Sequence, residues 1–266
     1  MGSRRATPPF VHNGKFIPNR AAGTLLQLDP GDDAEEEAAR LAAEQRAQAE
    51  IAAGLQRQLA SVLGEIPVAN GGEAGVALAE EVGHRLASQG GPVRVALERA
   101  LVAGADLGVR LAVRQLEGVG VAFNWQMTHA QALQAARDYS YELVRNLDET
   151  SLAVVRGAVA DWVESGEPLA ALRVRLEPTF GEVRARLIAS TETTRAYADG
   201  AHRAYVASGV VGEEEWLTAV DDRVCPICGP LEGQRRRLNG TFPGGLSAPP
   251  AHPGCRCRVA GVVEGD

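Results

Sequence analysis

The chain has 266 residues, of which 45% are hydrophobic and 5% are aromatic. This composition excludes global disorder and is sufficient for one large domain or two smaller ones. The formal net charge of −7 argues against a general nucleic-acid binder, because sequence-independent affinity comes from neutralising phosphates. No apolar run has the length of a membrane span, and residues 1–20 lack the apolar stretch of a secretory signal. We therefore expect no membrane association and synthesis in the cytoplasm.

Residues 1–31 contain scattered apolar residues and prolines without a sustained period, which is typical of an extended N-terminal arm. Such an arm either orders against a neighbouring subunit or is a frayed terminus. Residues 32–118 are predicted to be a helical N-terminal region. The first helix begins at Asp32, where Asp32 and Glu35 have the spacing of a capping box. The apolar spacing predicts three helices in this region, near residues 32–66, 76–86 and 93–111.

Residues 119–212 are predicted to form a second helical segment. Residues 118–124 are expected to be extended, and helices are expected near residues 129–147, 151–166, 168–176 and 181–208. Thr150 or Ser151 is predicted to cap the second of these helices, and Gly209 is predicted to end the last one in a left-handed conformation.

Residues 213–266 differ from the rest of the chain because they are rich in glycine and proline. The branched and aromatic content of residues 216–220 predicts a strand. A segment with so many loops buries little surface and requires an internal cross-link. The predicted fold class is therefore mainly α with a small α+β, loop-rich, zinc-stapled C-terminal module.

All 4 cysteines lie between positions 225 and 257, which is typical of a metal site rather than of a disulfide framework in a secreted protein. Five side chains compete for the four positions of a tetrahedral zinc ion: Cys225, Cys228, His252, Cys255 and Cys257. The ligands are either the first four of these or the four cysteines. Reduced, packed thiols and a Cys225–Cys228 disulfide are the alternatives to zinc. Because no position is needed for water, we expect a closed structural site.

The C-terminal module also carries a group of arginines that could bind phosphate: Arg235, Arg236, Arg237, Arg256 and Arg258. Alternatively, these arginines neutralise the negative charge of the metal site and of the neighbouring acids Asp221, Asp222 and Glu232. A nuclease built on the same module would use His252, Asp221 or Asp222 together with the arginines.

An ordered series of motifs resembles a known family. The series consists of Ile188-Ala189-x-Thr191-Glu192, Trp216, Asp222-Arg223-Val224-Cys225-x2-Cys228, Leu231-x-Gly233 and His252-Pro-x-Cys255-Arg-Cys257. It is similar to the head morphogenesis, or minor head, proteins of tailed bacteriophages, the Mu F-like family, over about residues 119–260. The motif residues outside the metal cluster are Thr191, Glu192, Trp216, Asp222 and Gly233.

The resemblance implies a structural virion component that is not an enzyme. Such a protein is assembled in the host cytoplasm, is present in multiple copies at the capsid interior or portal vertex, and contacts the portal or the major capsid protein. It also implies possible contact with packaged DNA. The alternative function is a zinc-knuckle nuclease or a DNA-binding protein that enters the cell with the genome.

Overall fold

The computed structural model describes residues 10–12, 15–17, 24–28, 30–64, 91–122, 124–218 and 225–263. The helix expected near residues 76–86 and the acidic pair Asp221 and Asp222 lie outside these ranges. Within the described part, no helix combines the length and apolar character that a membrane span needs.

The secondary structure of the described residues is mostly helical, with small antiparallel sheets, which confirms the predicted mainly α fold with a small α+β part. The helices are α1 (Pro30–Gly64), α2 (Gly91–Gly118), α3 (Gln126–Ser165), α4 (Leu169–Phe180) and α5 (Glu182–Ser208). The strands are β1 (Phe10–His12), β2 (Lys15–Ile17), β3 (Thr24–Leu25), β4 (Val211–Leu217), β5 (Arg235–Arg237) and β6 (Arg258–Val263). Two short 3-10 turns lie at Gly229–Leu231 and Pro243–Gly245.

Helix α3 is continuous over 40 residues, so the predicted break at Thr150 and Ser151 is wrong. Both hydroxyls bond back to carbonyls one turn earlier instead of capping a new helix. Thr150 Oγ1 donates to the Asn146 oxygen at 2.9 Å, and Ser151 Oγ donates to the Leu147 oxygen at 2.7 Å. Such back-bonding lets serine and threonine sit inside a helix. Gly209, with φ of 67°, follows the end of α5 as expected.

The larger sheet has the strand order β3-β6-β4-β5 with antiparallel neighbours, and β1 pairs with β2 in a separate antiparallel two-stranded sheet. Strand β4 begins five residues before the strand predicted at residue 216. The prediction missed its first part because three consecutive glutamates are not typical of a strand. Glu213 and Glu215 lie opposite Arg237 and Arg235 of β5. Opposite charges at facing positions stabilise an antiparallel pair, so the arginines of β5 balance the negative charge of these glutamates.

Contacts divide the chain into two compact units, each made of separate stretches of the sequence. Unit 1 contains residues Met1–Ala43, Leu101–Ala136 and Ser190–Asp266, and unit 2 contains residues Glu44–Ala100 and Arg137–Ala189.

Unit 1 incorporates part of the predicted N-terminal arm into its own core. Strand β3 pairs with β6, and the next residue, Leu26, is fully buried. The Gln115 amide donates to the Leu26 carbonyl at 3.1 Å, and the buried Tyr205 hydroxyl donates to the Gln115 side-chain oxygen at 2.5 Å. Residues 24–28 are therefore part of the fold of this chain, and an arm that reaches a neighbour can only be the part of the chain before them.

Helices α2 and α5 approach each other closely in unit 1 through glycines. A Cβ atom on Gly108 would lie 2.0 Å from the Tyr197 carbonyl oxygen, and one on Gly200 would lie 2.3 Å from the Ala105 carbonyl oxygen. Backbone-to-backbone contact at these points requires glycine. This contact fixes the part of α5 that precedes the sheet.

Unit 2 has a separate apolar core. Its fully buried residues include Ile51, Leu97, Val155, Val159, Leu172, Leu176 and Phe180. Arg184 in the first turn of α5 donates to the Thr179 carbonyl at 2.6 Å and to the Ser151 hydroxyl at 2.9 Å. Burial raises the pKa of the nearby Asp148 carboxyl, against the opposing effects of Gln58 and Arg184. Arg184 thus links α3 to the end of α4.

Candidate metal centre

Two tight turns present the predicted ligands in pairs. In the first, the Cys228 amide donates to the Cys225 carbonyl at 3.1 Å, so both sulfurs emerge from one turn. In the second, the Cys255 amide donates to the His252 carbonyl at 3.1 Å. Pro253 and Gly254, which has φ of 74°, occupy the two central positions, the residue pattern of a type II turn. Local turn chemistry therefore places His252 beside Cys255, and Cys225 beside Cys228.

The side chains of the two turns converge. His252 Nε2 lies 3.0 Å from Cys225 Sγ and 3.3 Å from Cys228 Sγ, and Cys228 Sγ lies 3.7 Å from Cys255 Sγ. Zinc–ligand bonds of about 2.0–2.3 Å imply sulfur–sulfur and sulfur–nitrogen edges of roughly 3.8 and 3.5 Å in a tetrahedral site. These three separations are close to the edges of a tetrahedral metal site, and Cys255 meets the first turn through Cys228.

Cys228 is common to two groups of candidate ligands. The ligand atoms of Cys225, Cys228 and His252 lie within 4.8 Å of one another, and so do those of Cys228, Cys255 and Cys257. The chain thus brings all five predicted side chains to one place. The cluster can hold a metal ion, and no disulfide links any of the cysteines.

The tautomer of His252 suits metal binding. Its Nδ1 lies 2.8 Å from the Pro253 carbonyl oxygen. A carbonyl only accepts hydrogen bonds, so Nδ1 carries a proton, and Nε2, which faces the sulfurs, is the ring nitrogen available to a metal ion. A second hydrogen bond of this kind commonly orients metal-binding histidines.

The thiols differ in acidity. A hydrogen bond from Cys257 lowers the pKa of Cys255 to about 5, and the same contact, together with burial, raises the pKa of Cys257. Burial raises the pKa of Cys228 to about 12. For Cys225, burial acts upward, but the Cys228 and Ile227 amides and His252 outweigh it and lower the pKa. The pKa is thus lowered at one sulfur of each turn, Cys225 in the first and Cys255 in the second.

Helix α5 contacts the second turn through two threonines that the sequence analysis did not connect to the cysteines. Thr194 Oγ1 donates to the Cys255 carbonyl at 2.9 Å, and the Gly254 amide donates to Thr191 Oγ1 at 2.9 Å. The only signal in the sequence was an unusual density of hydroxyls inside a helix, which favours bonding to a neighbouring element over catalysis.

Trp216 and Gly233 have structural positions beside the cluster. Trp216 is fully buried, shares a core with Cys228, Cys255 and Cys257, and packs edge-on against Phe242 at 5.1 Å between ring centroids. Gly233 has φ of 71° in the turn that the Gln234 amide closes by donating to the Leu231 carbonyl at 2.9 Å. That backbone conformation favours glycine, and the turn leads directly into β5. Glu192 is buried and pairs with Arg195, and Asp222 lies outside the described residues.

The predicted phosphate-binding arginines do not form one surface group. Arg236 is buried, pairs with Glu214, and donates to the carbonyls of Leu238 at 3.1 Å and Gly240 at 3.0 Å. Arg235 pairs with Glu215 at 2.8 Å, and Arg258 binds both carboxylate oxygens of Asp33, at 2.6 and 3.0 Å. The remaining two are Arg237, which is exposed, and Arg256, which is half-buried.

Glu214 is a buried charge that sequence reasoning missed. It is fully buried in β4, where it meets Arg236 and accepts a hydrogen bond from Nδ1 of His202 at 2.8 Å. A buried carboxylate requires such partners. The three side chains thereby join α5, β4 and β5 within unit 1.

Residues 153–260 match the family model described as Phage Mu protein F like protein. The match confirms the resemblance and covers the candidate metal cluster, α5, the strands β4 and β5, and the first half of β6. The family is one of structural phage head proteins. The match therefore suggests a phage head morphogenesis protein. No curated protein and no solved structure matches the chain.

Proposed function

We propose that this chain, with its Mu F-like segment at residues 153–260, is a structural minor head protein of a tailed bacteriophage whose C-terminal module is closed by one zinc ion. The observation that carries the proposal is that the matched segment encloses all five candidate ligands. The ion thus lies inside the part of the chain that carries the family similarity.

The ligands that we propose are Cys225, Cys228, His252 and Cys255. Each turn supplies two of them at a spacing of three residues. His252 Nε2 lies within 3.3 Å of both sulfurs of the first turn, and Cys255 Sγ lies 3.7 Å from Cys228 Sγ. Three thiolates and one imidazole are a donor set that zinc favours. Cys257 is then a buried hydrogen-bond partner of Cys255 rather than a ligand.

The proposed role of the ion is mechanical. When bound, zinc supplies a cross-link between the turns at residues 225–228 and 252–255. The chain between them contains two short 3-10 turns and the three-residue strand β5, so its own regular structure is small. With four protein ligands the ion has no position for substrate or water, so we assign the chain no catalytic activity.

We place the protein in the virion, at the capsid interior or the portal vertex, in multiple copies and in contact with the portal or the major capsid protein. Part of the arm at residues 1–31 is proposed to order on a neighbouring subunit. Because residues 24–28 pack on this chain, that role is confined to the residues that precede them.

DNA binding remains a secondary proposal with less support. Three of the five arginines are engaged by the carboxylates of Glu214, Glu215 and Asp33. A phosphate would have to displace those carboxylates, which lowers the affinity expected from counting arginines. Asp221 and Asp222, which the nuclease alternative would use, lie outside the described residues.

The head proposal is tested by purifying heads from a lysate of the phage that encodes this chain and detecting the tagged protein. We expect it to co-sediment with both DNA-filled and empty heads and to remain bound after nuclease treatment. A variant lacking residues 1–20 keeps β3 and is expected to fold but to enter heads less well. Wild-type protein that stays in the soluble fraction while heads assemble would contradict the proposal. Equal incorporation of the truncated variant would remove the arm from it.

A further inference from the structure

Three threonines of α5, Thr191, Thr193 and Thr194, lie within four positions of the sequence but have different surroundings. Thr193 and Thr194 are equally buried, with 1% and 0% of their surface exposed. The hydroxyl of Thr193 has no hydrogen-bond partner among the described residues, whereas that of Thr194 reaches a carbonyl 61 positions away. Thr191 lies three residues before Thr194, on the same face of the helix, and accepts from an amide of the same distant turn. Two of the hydroxyls therefore act on the metal-binding turn, and the third does not.

The two hydrogen bonds hold the backbone on either side of Cys255, one of the proposed ligands. The Gly254 amide donates to Thr191, and the carbonyl of the following residue, Cys255, accepts from Thr194. The Cys255 amide between these groups donates to the His252 carbonyl at 3.1 Å. The backbone around Cys255 is thus fixed on both sides, and with it the direction in which its sulfur leaves the chain.

We propose that Thr191 and Thr194 are positioning residues for the metal site, and that they hold the Cys255 turn in its binding conformation before the ion arrives. This inference rests on the proposed metal site. Cys255 Sγ lies 3.7 Å from Cys228 Sγ, so a turn held in this way presents its sulfur at ligand distance from the other turn. Groups that orient metal ligands typically raise metal affinity by about 10- to 100-fold.

The same contacts couple the ion to α5. If the threonines favour the bound geometry, bound metal must in turn favour the docked arrangement of α5 and the turn, by linkage. The ion therefore stabilises more than the loop it closes. Its removal is expected to loosen the contact between α5 and residues 252–255 in unit 1.

The test compares Thr194→Val with Thr193→Val in the full-length protein. Zinc affinity is measured by competition with a chromophoric chelator, and the cobalt-substituted protein is examined by visible absorption. We expect Thr194→Val to bind zinc about 10- to 100-fold more weakly and to show altered cobalt bands. Thr193→Val, which removes an unpartnered hydroxyl at the same burial, is expected to retain wild-type affinity and spectrum. Thr194→Ser restores the hydroxyl and is expected to bind within about threefold of wild type.

Equal affinities for Thr194→Val and Thr193→Val would overturn the inference while leaving the metal site intact. Wild-type protein that binds no metal would overturn the proposed site and this inference together, so the two failures are distinguishable. If Thr194→Val does not fold, Thr191→Val removes the other hydrogen bond and is measured in the same way, with Thr191→Ser as its conservative control. Retention of wild-type affinity by Thr191→Val would then count against the proposal.

Discussion

Replacing Cys228 with serine is expected to abolish stoichiometric metal binding and to unfold the segment from residue 225 to residue 263. Cys228 belongs to both groups of candidate ligands, so its loss breaks the site whichever four residues bind the ion. Structural zinc contributes about 10–16 kcal/mol of apparent binding free energy in small zinc modules. That exceeds the stability that a short, loop-rich segment can supply by itself. Metal analysis and limited proteolysis, with cleavage sites mapped to residues 225–257, measure the two effects.

The control for this variant is Cys257→Ser. Cys257 is as buried as Cys228, with 4% and 3% of their surface exposed, but we place it outside the ligand set. We expect it to retain the ion with some loss of stability, because a buried thiol and its contact with Cys255 are removed. Removing the ion from wild-type protein with a chelator should reproduce the proteolysis pattern of Cys228→Ser without any substitution. Cys228→Ser protein that keeps its metal and resists protease would contradict the account.

Substituting Gly108 with alanine is expected to destabilise unit 1 by about 3 kcal/mol or more. The new methyl group would lie 2.0 Å from the Tyr197 carbonyl oxygen, so α2 and α5 must separate. Overpacking of this kind costs about 1–3 kcal/mol and sometimes more, and here the obstructing atom is backbone, which cannot rotate away. Thermal unfolding followed by circular dichroism measures the change, with a melting temperature lowered by roughly 6–12 °C.

Gly157→Ala is the matched control. Gly157 lies inside α3, and a Cβ atom there would meet nothing within 4 Å. Alanine in place of an unobstructed helical glycine stabilises by about 0.5–1 kcal/mol. The two substitutions are chemically identical, so opposite signs identify the close helix contact as the cause. A Gly108→Ala protein as stable as Gly157→Ala would show that α2 and α5 do not approach as described.

The metal cluster was the part of the site most open to sequence reasoning. Each pair of ligands is made by a local turn, and the residues of those turns, such as Pro253 and Gly254, are visible in the sequence. The meeting of the two turns could be inferred only from metal chemistry. The sequence could not predict which four of the five side chains bind, because the choice between His252 and Cys257 depends on their positions in the fold.

The features that sequence reasoning missed depend on long-range contacts. The partners of Thr194 and Thr191 are more than 60 positions away, so their hydroxyls looked like ordinary helical threonines. The predicted start of β4 was five residues too late, because a run of glutamates is not typical of a strand. The arginines of β5 that face these glutamates are identified only in the fold. Arg236 looked like a surface cation for the same reason, since only the fold shows that Glu214 is buried beneath it.

The most direct test of the account is X-ray absorption at the zinc edge on purified, untagged, full-length protein, with metal content determined on the same sample. The account predicts about one zinc ion per chain with three sulfur ligands and one nitrogen ligand and no oxygen ligand. Four sulfur ligands would replace His252 by Cys257 and overturn the proposed ligand set. A chain purified without metal, or an ion with a bound water, would contradict the closed structural site on which the proposed function depends.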